Sequence, residues 1–174
     1  INERCCMSEA ISNISLPGTL GHAFYCKIPP SNQGINNSAS FAPVSNTKFC
    51  VGKKYIIDHS ATDPDGDSLS YGFDLLDKGG SNNDTKPIIT TYPSFTKIPY
   101  LPPYTKTQPM PGLSVDEKTG ILTLNSWMQG TFAVNIFCNE WRNGIIINTI
   151  KRTYIYTIYN CQFEVNAGIV CDTL

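Results

Sequence analysis

Apolar side chains recur at every second position in several short stretches of this chain, as they do in strands that bury one face. Leu69, Tyr71 and Phe73 alternate with Ser70, Gly72 and Asp74. Phe132, Val134, Ile136 and Cys138 share one side of a stretch over 131–139, which predicts that Cys138 is a buried free thiol. Tyr154, Tyr156 and Ile158 share a side of a longer run from 145 to about 159. Further strands are predicted over 55–60, 113–115 and 121–124, and ahead of them over 10–16 and 22–28.

Turn residues separate these runs. Asn143-Gly144 is the strongest two-residue hairpin signal, and the turn over 116–120 ends on a glycine able to take a positive φ. Leu16-Pro17-Gly18-Thr19 divides the first two predicted strands. Stretches 29–42 and 61–67 read as polar loops and 77–86 as a flexible one. The proline-rich stretch 87–112 leaves room for one broken edge strand, because proline cannot donate to a ladder. No segment carries a capped helical period. About seven short strands at this turn spacing predict an all-β fold, an antiparallel immunoglobulin-like β-sandwich over 51–161. An N-terminal β extension over 1–50 is expected to pack on it, with 162–174 as a tail or the start of a next module.

Composition narrows the function. A net charge of −1 provides no basic stripe for a phosphate backbone, so no nucleic-acid partner is expected. No apolar run approaches the ~20 residues of a helical membrane span. The chain starts at Ile1 without a methionine or signal peptide, and reads as a processed or excised segment. Seven cysteines, at 5, 6, 26, 50, 138, 161 and 171, form no C-x-x-C pair, which argues against zinc. Scattered cysteines in a β-rich chain instead suit disulfides formed in an oxidising compartment. The odd count leaves at least one thiol free or paired elsewhere, and adjacent Cys5 and Cys6 are predicted not to bridge each other.

One constellation carries candidate chemistry. Asp63, Asp65 and Asp67 alternate around Pro64 and Gly66, so that several carboxylate oxygens can meet one hard cation, for which calcium is the natural choice. It is not an EF-hand, since Ser68 stands where that loop needs glycine and a strand follows. Asp58 and Glu140 are candidate further ligands. The other reading of the segment is a solvated turn whose aspartates bond their own backbone. Tyr92, Tyr100 and Tyr104, interleaved with prolines, are candidate rings for stacking on a glycan, or else cover a sandwich edge. His22 and His59 sit in no catalytic motif, and no nucleophile-elbow, phosphate-loop or dinucleotide fingerprint is present. The chain is accordingly read as non-enzymatic.

Taken in order, Glu3-Arg-Cys-Cys6, Ala10-Ile-Ser-Asn13-Ile, Asn37-Ser38, Phe49-Cys-Val-Gly52 and His59-Ser-Ala-Thr-Asp-Pro-Asp-Gly-Asp-Ser-Leu-Ser-Tyr71 form a series. It continues with Val115-Asp, Thr119-Gly-Ile-Leu-Thr, Gly130-Thr-Phe-Ala-Val, Glu140-Trp-Arg-Asn-Gly144, and Lys151-Arg152 leading to Asn160-Cys161. This series resembles the PKD-like domains of large Bacteroidetes cell-surface proteins associated with gliding motility. The resemblance implies an immunoglobulin-like sandwich, export by the type IX route and a place in a longer adhesin or filament. The expected partners are neighbouring domains of the same protein, other copies of it, or a surface glycan. Met7-Ser8 and Cys138 depart from the pattern.

Overall fold

A computed structural model of the chain describes residues 2–24, 29, 34–85 and 95–161. Their strands are, in chain order, β1 (Asn2–Arg4), β2 (Leu20–Phe24), β3 (Ser40–Phe41), β4 (Lys48–Cys50), β5 (Tyr55–Asp58), β6 (Ala61–Thr62) and β7 (Ser68–Asp74). They continue with β8 (Leu76–Ser81), β9 (Lys97–Ile98), β10 (Leu113–Val115), β11 (Ile121–Leu124), β12 (Gly130–Arg142) and β13 (Ile145–Tyr159). One turn of 3-10 helix, Pro17–Thr19, interrupts an otherwise all-β pattern among the described residues.

The hairpin β12–β13 is set locally by its turn residues. Asn143 and Gly144 both take positive φ, 52° and 76°, as a tight hairpin requires. β7 adds to the other side of β12, with Tyr71 opposite Cys138 and Phe73 opposite Ile136. β4 completes this sheet beside β13, in the order β4-β13-β12-β7. It runs parallel to β13, an exception to the predicted antiparallel pairing. A disulfide between Cys50 and Cys161 joins the end of β4 to the residues just after β13.

The alternating residues now find their partners. Phe132, Val134 and Ile136 meet Ile57, Leu113, Leu122 and Leu124 from the sheet β10-β11-β5 in one buried core, joined by Phe49, Phe73, Met110, Tyr156 and Ile158. The two sheets form a β-sandwich. Ala133 points the other way, into a second core of Ile11, Ile14, Leu76, Ile98 and Tyr100 beneath the sheet β1-β2-β8-β9. All five residues Phe132–Ile136 are buried, so this strand is covered on both faces.

β7 and β8 are nearly one strand that changes sheets across Leu75. After Asp74, which faces Asn135, the chain leaves β12 and pairs instead with β2 and β9. Residues 77–81, predicted as part of a flexible loop, are therefore strand. The glycines that suggested a loop serve close approach, since a Cβ on Gly79 would lie 2.7 Å from the backbone of His22.

The departure of β7 leaves that edge of β12 without a strand neighbour near Ala133, which stays paired with Ile155 of β13 on its other edge. Asn13 fills the gap. Its Nδ2 donates to the carbonyls of Ala133 and Pro109, at 2.8 and 2.7 Å, and its Oδ1 accepts from the Ala133 N–H at 2.9 Å. This primary amide reproduces what a neighbouring strand would offer, and explains why stretch 10–16 is not the predicted strand. Only isolated bridges occur there, Ile11 to Thr131 and Ile14 to Tyr100. Of the prediction over 22–28, residues up to Phe24 are strand and the remainder lies outside the described residues. Contrary to expectation, the sulfurs of Cys5 and Cys6 are paired with each other, across a cis peptide bond. Cys138 is fully buried and unbridged, as predicted, and burial pushes its thiol up to about 12.

Candidate functional site

The acidic loop between β6 and β7 is shaped by its first aspartate. Asp63 Oδ1 accepts the backbone N–H groups of Asp65 and Asp67, at 2.9 and 3.0 Å, and Gly66 takes φ 79°. These bonds curl the loop so that one oxygen from each of Asp63, Asp65 and Asp67 lies within 4.8 Å of the others. A group of this kind can hold a metal ion.

Protein donors already occupy much of it. Arg142 grips Asp67 in a two-pronged pair, Nε to Oδ1 at 2.8 Å and Nη2 to Oδ2 at 2.7 Å. Asp65 accepts the Asn37 N–H at 2.6 Å and its Nδ2 at 2.9 Å, with Arg142 Nη2 at 3.6 Å. The Asn37 donors, and secondarily Arg142, hold Asp65 below the usual carboxylate range. The bond to Asp67 in turn raises Arg142. Among the described residues, Asp63 Oδ2 is buried without a hydrogen-bond partner.

The two further candidate ligands are engaged elsewhere. A bulge between Glu140 and Trp141 ends the regular register of β12. Glu140 is fully buried, with Oε1 accepting from the Ala39 N–H and Asn148 Nδ2, and Oε2 from Asn36 Nδ2. Asp58 is exposed, caps the Ser60 N–H at 2.8 Å, and does not belong to the carboxylate group. Arg142 also donates to the Ile35 carbonyl and to Asn36 Oδ1, both at 3.1 Å. Glu140, Arg142, Asp65 and Asp67 thus tie the segment 35–39 across one end of the sandwich.

The glycan candidates fare differently. Tyr100 is 8% exposed, its ring in the second core and its hydroxyl 3.4 Å from the Asp74 carbonyl, so it presents no platform. Tyr104 is half-buried against Phe132. Tyr92 lies outside the described residues. Among the described residues the most exposed ring is Trp127, 71% exposed, which sequence reasoning passed over.

Two further groups emerge only in three dimensions. His59 is fully buried, its Nε2 2.6 Å from the Tyr156 hydroxyl and its backbone N–H bonded to Gly120. Burial, then the charge of Arg152, holds its pKa at about 3. Across the β7–β8 junction, Asp74 and Asp77 meet Lys97, Lys106 and Lys151 in one network of ion pairs. Burial would raise Asp74, but the bond and charge of Lys151, followed by Lys97, outweigh it and leave the pKa at about 2. His22 lies beside this network; burial, aided by Lys151 and Lys97 against Asp77, lowers it to about 4.

Compared with known proteins, the chain matches no family model, no curated protein and no solved structure.

Both histidines are neutral in the folded chain well below their ordinary 6.5. Below that pH the unfolded chain binds protons that the folded chain refuses, so their contribution is complete above 6.5 and declines as pH falls towards 4. Asp74 contributes a loss only below the ordinary carboxylate range. Urea unfolding should therefore show a midpoint that drops steadily between about pH 6.5 and 4.5. A flat profile there would contradict the neutral burial of His22 and His59.

Proposed function

We propose that the chain is a non-catalytic structural and adhesive module of a secreted, multidomain cell-surface protein or filament, its sandwich following an immunoglobulin-like, PKD-like plan. The observation that carries this reading is how the charged and polar groups are used. Glu140 and Arg142 hold segment 35–39, Asp74 and Asp77 hold Lys97 of β9, and His59 holds Tyr156 of β13. Each joins parts of the chain that are distant in sequence, as resistance to being pulled apart requires.

The Cys50–Cys161 disulfide supports an exported, extracellular location, because such bonds persist in oxidising compartments. Type IX export and gliding motility follow from the motif resemblance. The partners are neighbouring modules of the same protein or further copies of it. Carbohydrate binding through the 92–104 region is the lesser reading, since Tyr100 is in the core.

Calcium is the proposed cofactor at Asp63, Asp65 and Asp67. Asp63 Oδ2 brings an oxygen without a protein donor among the described residues, while Arg142 is the resident positive charge with which an ion must share Asp67. An ion bound by the folded chain alone adds stability through linkage. Calcium should raise the melting temperature and EGTA should reverse the rise. Indifference to both discards the ion and leaves Arg142 as the counter-charge of the turn.

The role itself is tested in the natural host. Excising this segment from the protein that carries it should reduce surface assembly or adhesion, and assembly and adhesion at wild-type levels would contradict the proposal.

A further inference from the structure

We propose that Lys97 and Asp77 condense into an intramolecular amide that staples β9 to β8. The two residues stand directly opposite each other on adjacent antiparallel strands. Lys97 Nζ lies in direct contact with Asp77 Oδ1, at 2.5 Å. Asp77 is 3% exposed and its strand neighbours Leu76 and Ile98 are buried, so water has little access to the carboxyl carbon.

Two further charged groups hold the pair in line. Asp74 Oδ2 lies 3.3 Å from Lys97 Nζ. Lys151 Nζ lies 2.7 Å from the same Asp74 oxygen and 3.2 Å from Asp77 Oδ2. The four side chains therefore close a ring of proton donors and acceptors around one carbon.

Lys97 passes a proton to Asp77 Oδ1 across their contact, and its freed electron pair attacks Asp77 Cγ to form the C–N bond. Lys151 protonates Asp77 Oδ2 and is reprotonated by the second proton leaving the attacking nitrogen. The first proton moves from Oδ1 to Oδ2, the Cγ–Oδ2 bond breaks, and water departs, leaving Oδ1 as the amide oxygen. One ammonium and one carboxylate become one amide and one water. Asp74 and Lys151 end as they began, and no cofactor, oxidant or external proton is consumed. Fixed alignment of two reactants is worth an effective concentration of about 10⁵–10⁸ M, which lowers the barrier to the condensation.

The amide would lock the sheet that carries β1 and β2, and it holds whether or not the proposed surface role stands. The test is the intact mass of the full folded chain after reduction and denaturation. The expected mass is one water below that of the sequence, with a branched proteolytic peptide joining the Asp77 and Lys97 segments. Lys97→Arg keeps the positive charge beside Asp77 and should restore the full mass. Asp77→Asn should lose ammonia in place of water. A wild-type chain at full sequence mass would reduce the contact to an ion pair and overturn the proposal, as would a deficit that persists in Lys97→Arg.

Discussion

Between Phe132 and Ile136 the strand β12 has no side open to water, and a strand in that position must be covered from both directions. One face is met by β10-β11-β5, which share the sandwich core with it. The other is met by chain from before β3 and after β7, which supplies Ile11, Ile14 and Leu76 around Ala133. Residues 2–24 are for this reason part of the same folded body as the sandwich. Phe49 makes the same point from another side, since it belongs to the larger core although it falls within the predicted extension.

Double burial also sets a polar demand. A backbone N–H or carbonyl shut away from water without a partner costs about 1–3 kcal/mol, so the stretch of β12 that β7 abandons needs hydrogen bonds from elsewhere. Asn13 and Ser12 answer it, the first through its side-chain amide and the second through its N–H to the Thr131 carbonyl at 2.7 Å. At the opposite end of β12 the same demand is met by charge, with Glu140 and Arg142 bonding the segment that closes over them. The candidate metal turn is the outer margin of that second closure, which is why its Asp67 carboxylate is shared with an arginine.

Alternation made the sandwich strands readable in advance. Phe73 joins Phe132, Val134 and Ile136 in a single core, Tyr71 is buried on the same side of its strand, and Asn143-Gly144 closes the hairpin its sequence predicts. What escaped were features whose local signal points elsewhere. Gly79 and Gly80 resemble a loop until another backbone is seen pressed against them. Ile11 and Ile14 are buried three residues apart, a spacing that belongs to no strand. The carboxylates of the acidic turn were visible as a cluster, but Arg142 lies 75 residues beyond Asp67 and Asn37 lies 28 before Asp65, so neither partner was within reach of motif reading. The Asp74–Asp77–Lys97–Lys151 ring was hidden for the same reason, and Tyr100 because a proline-rich stretch does not disclose which of its rings turn inward.

Whether the outer layer and the sandwich are one cooperative unit is measured most directly by native-state hydrogen exchange. The N–H groups of Ser12 and Leu101, bonded to Thr131 and Asn13, report on the outer layer, and those of β12 report on the sandwich. Both sets should exchange only at the rate of global unfolding and respond identically to denaturant. Rapid exchange at Ser12 and Leu101 while β12 stays protected would mean that the second face of β12 opens on its own, and that the doubly covered strand is not what holds the molecule together.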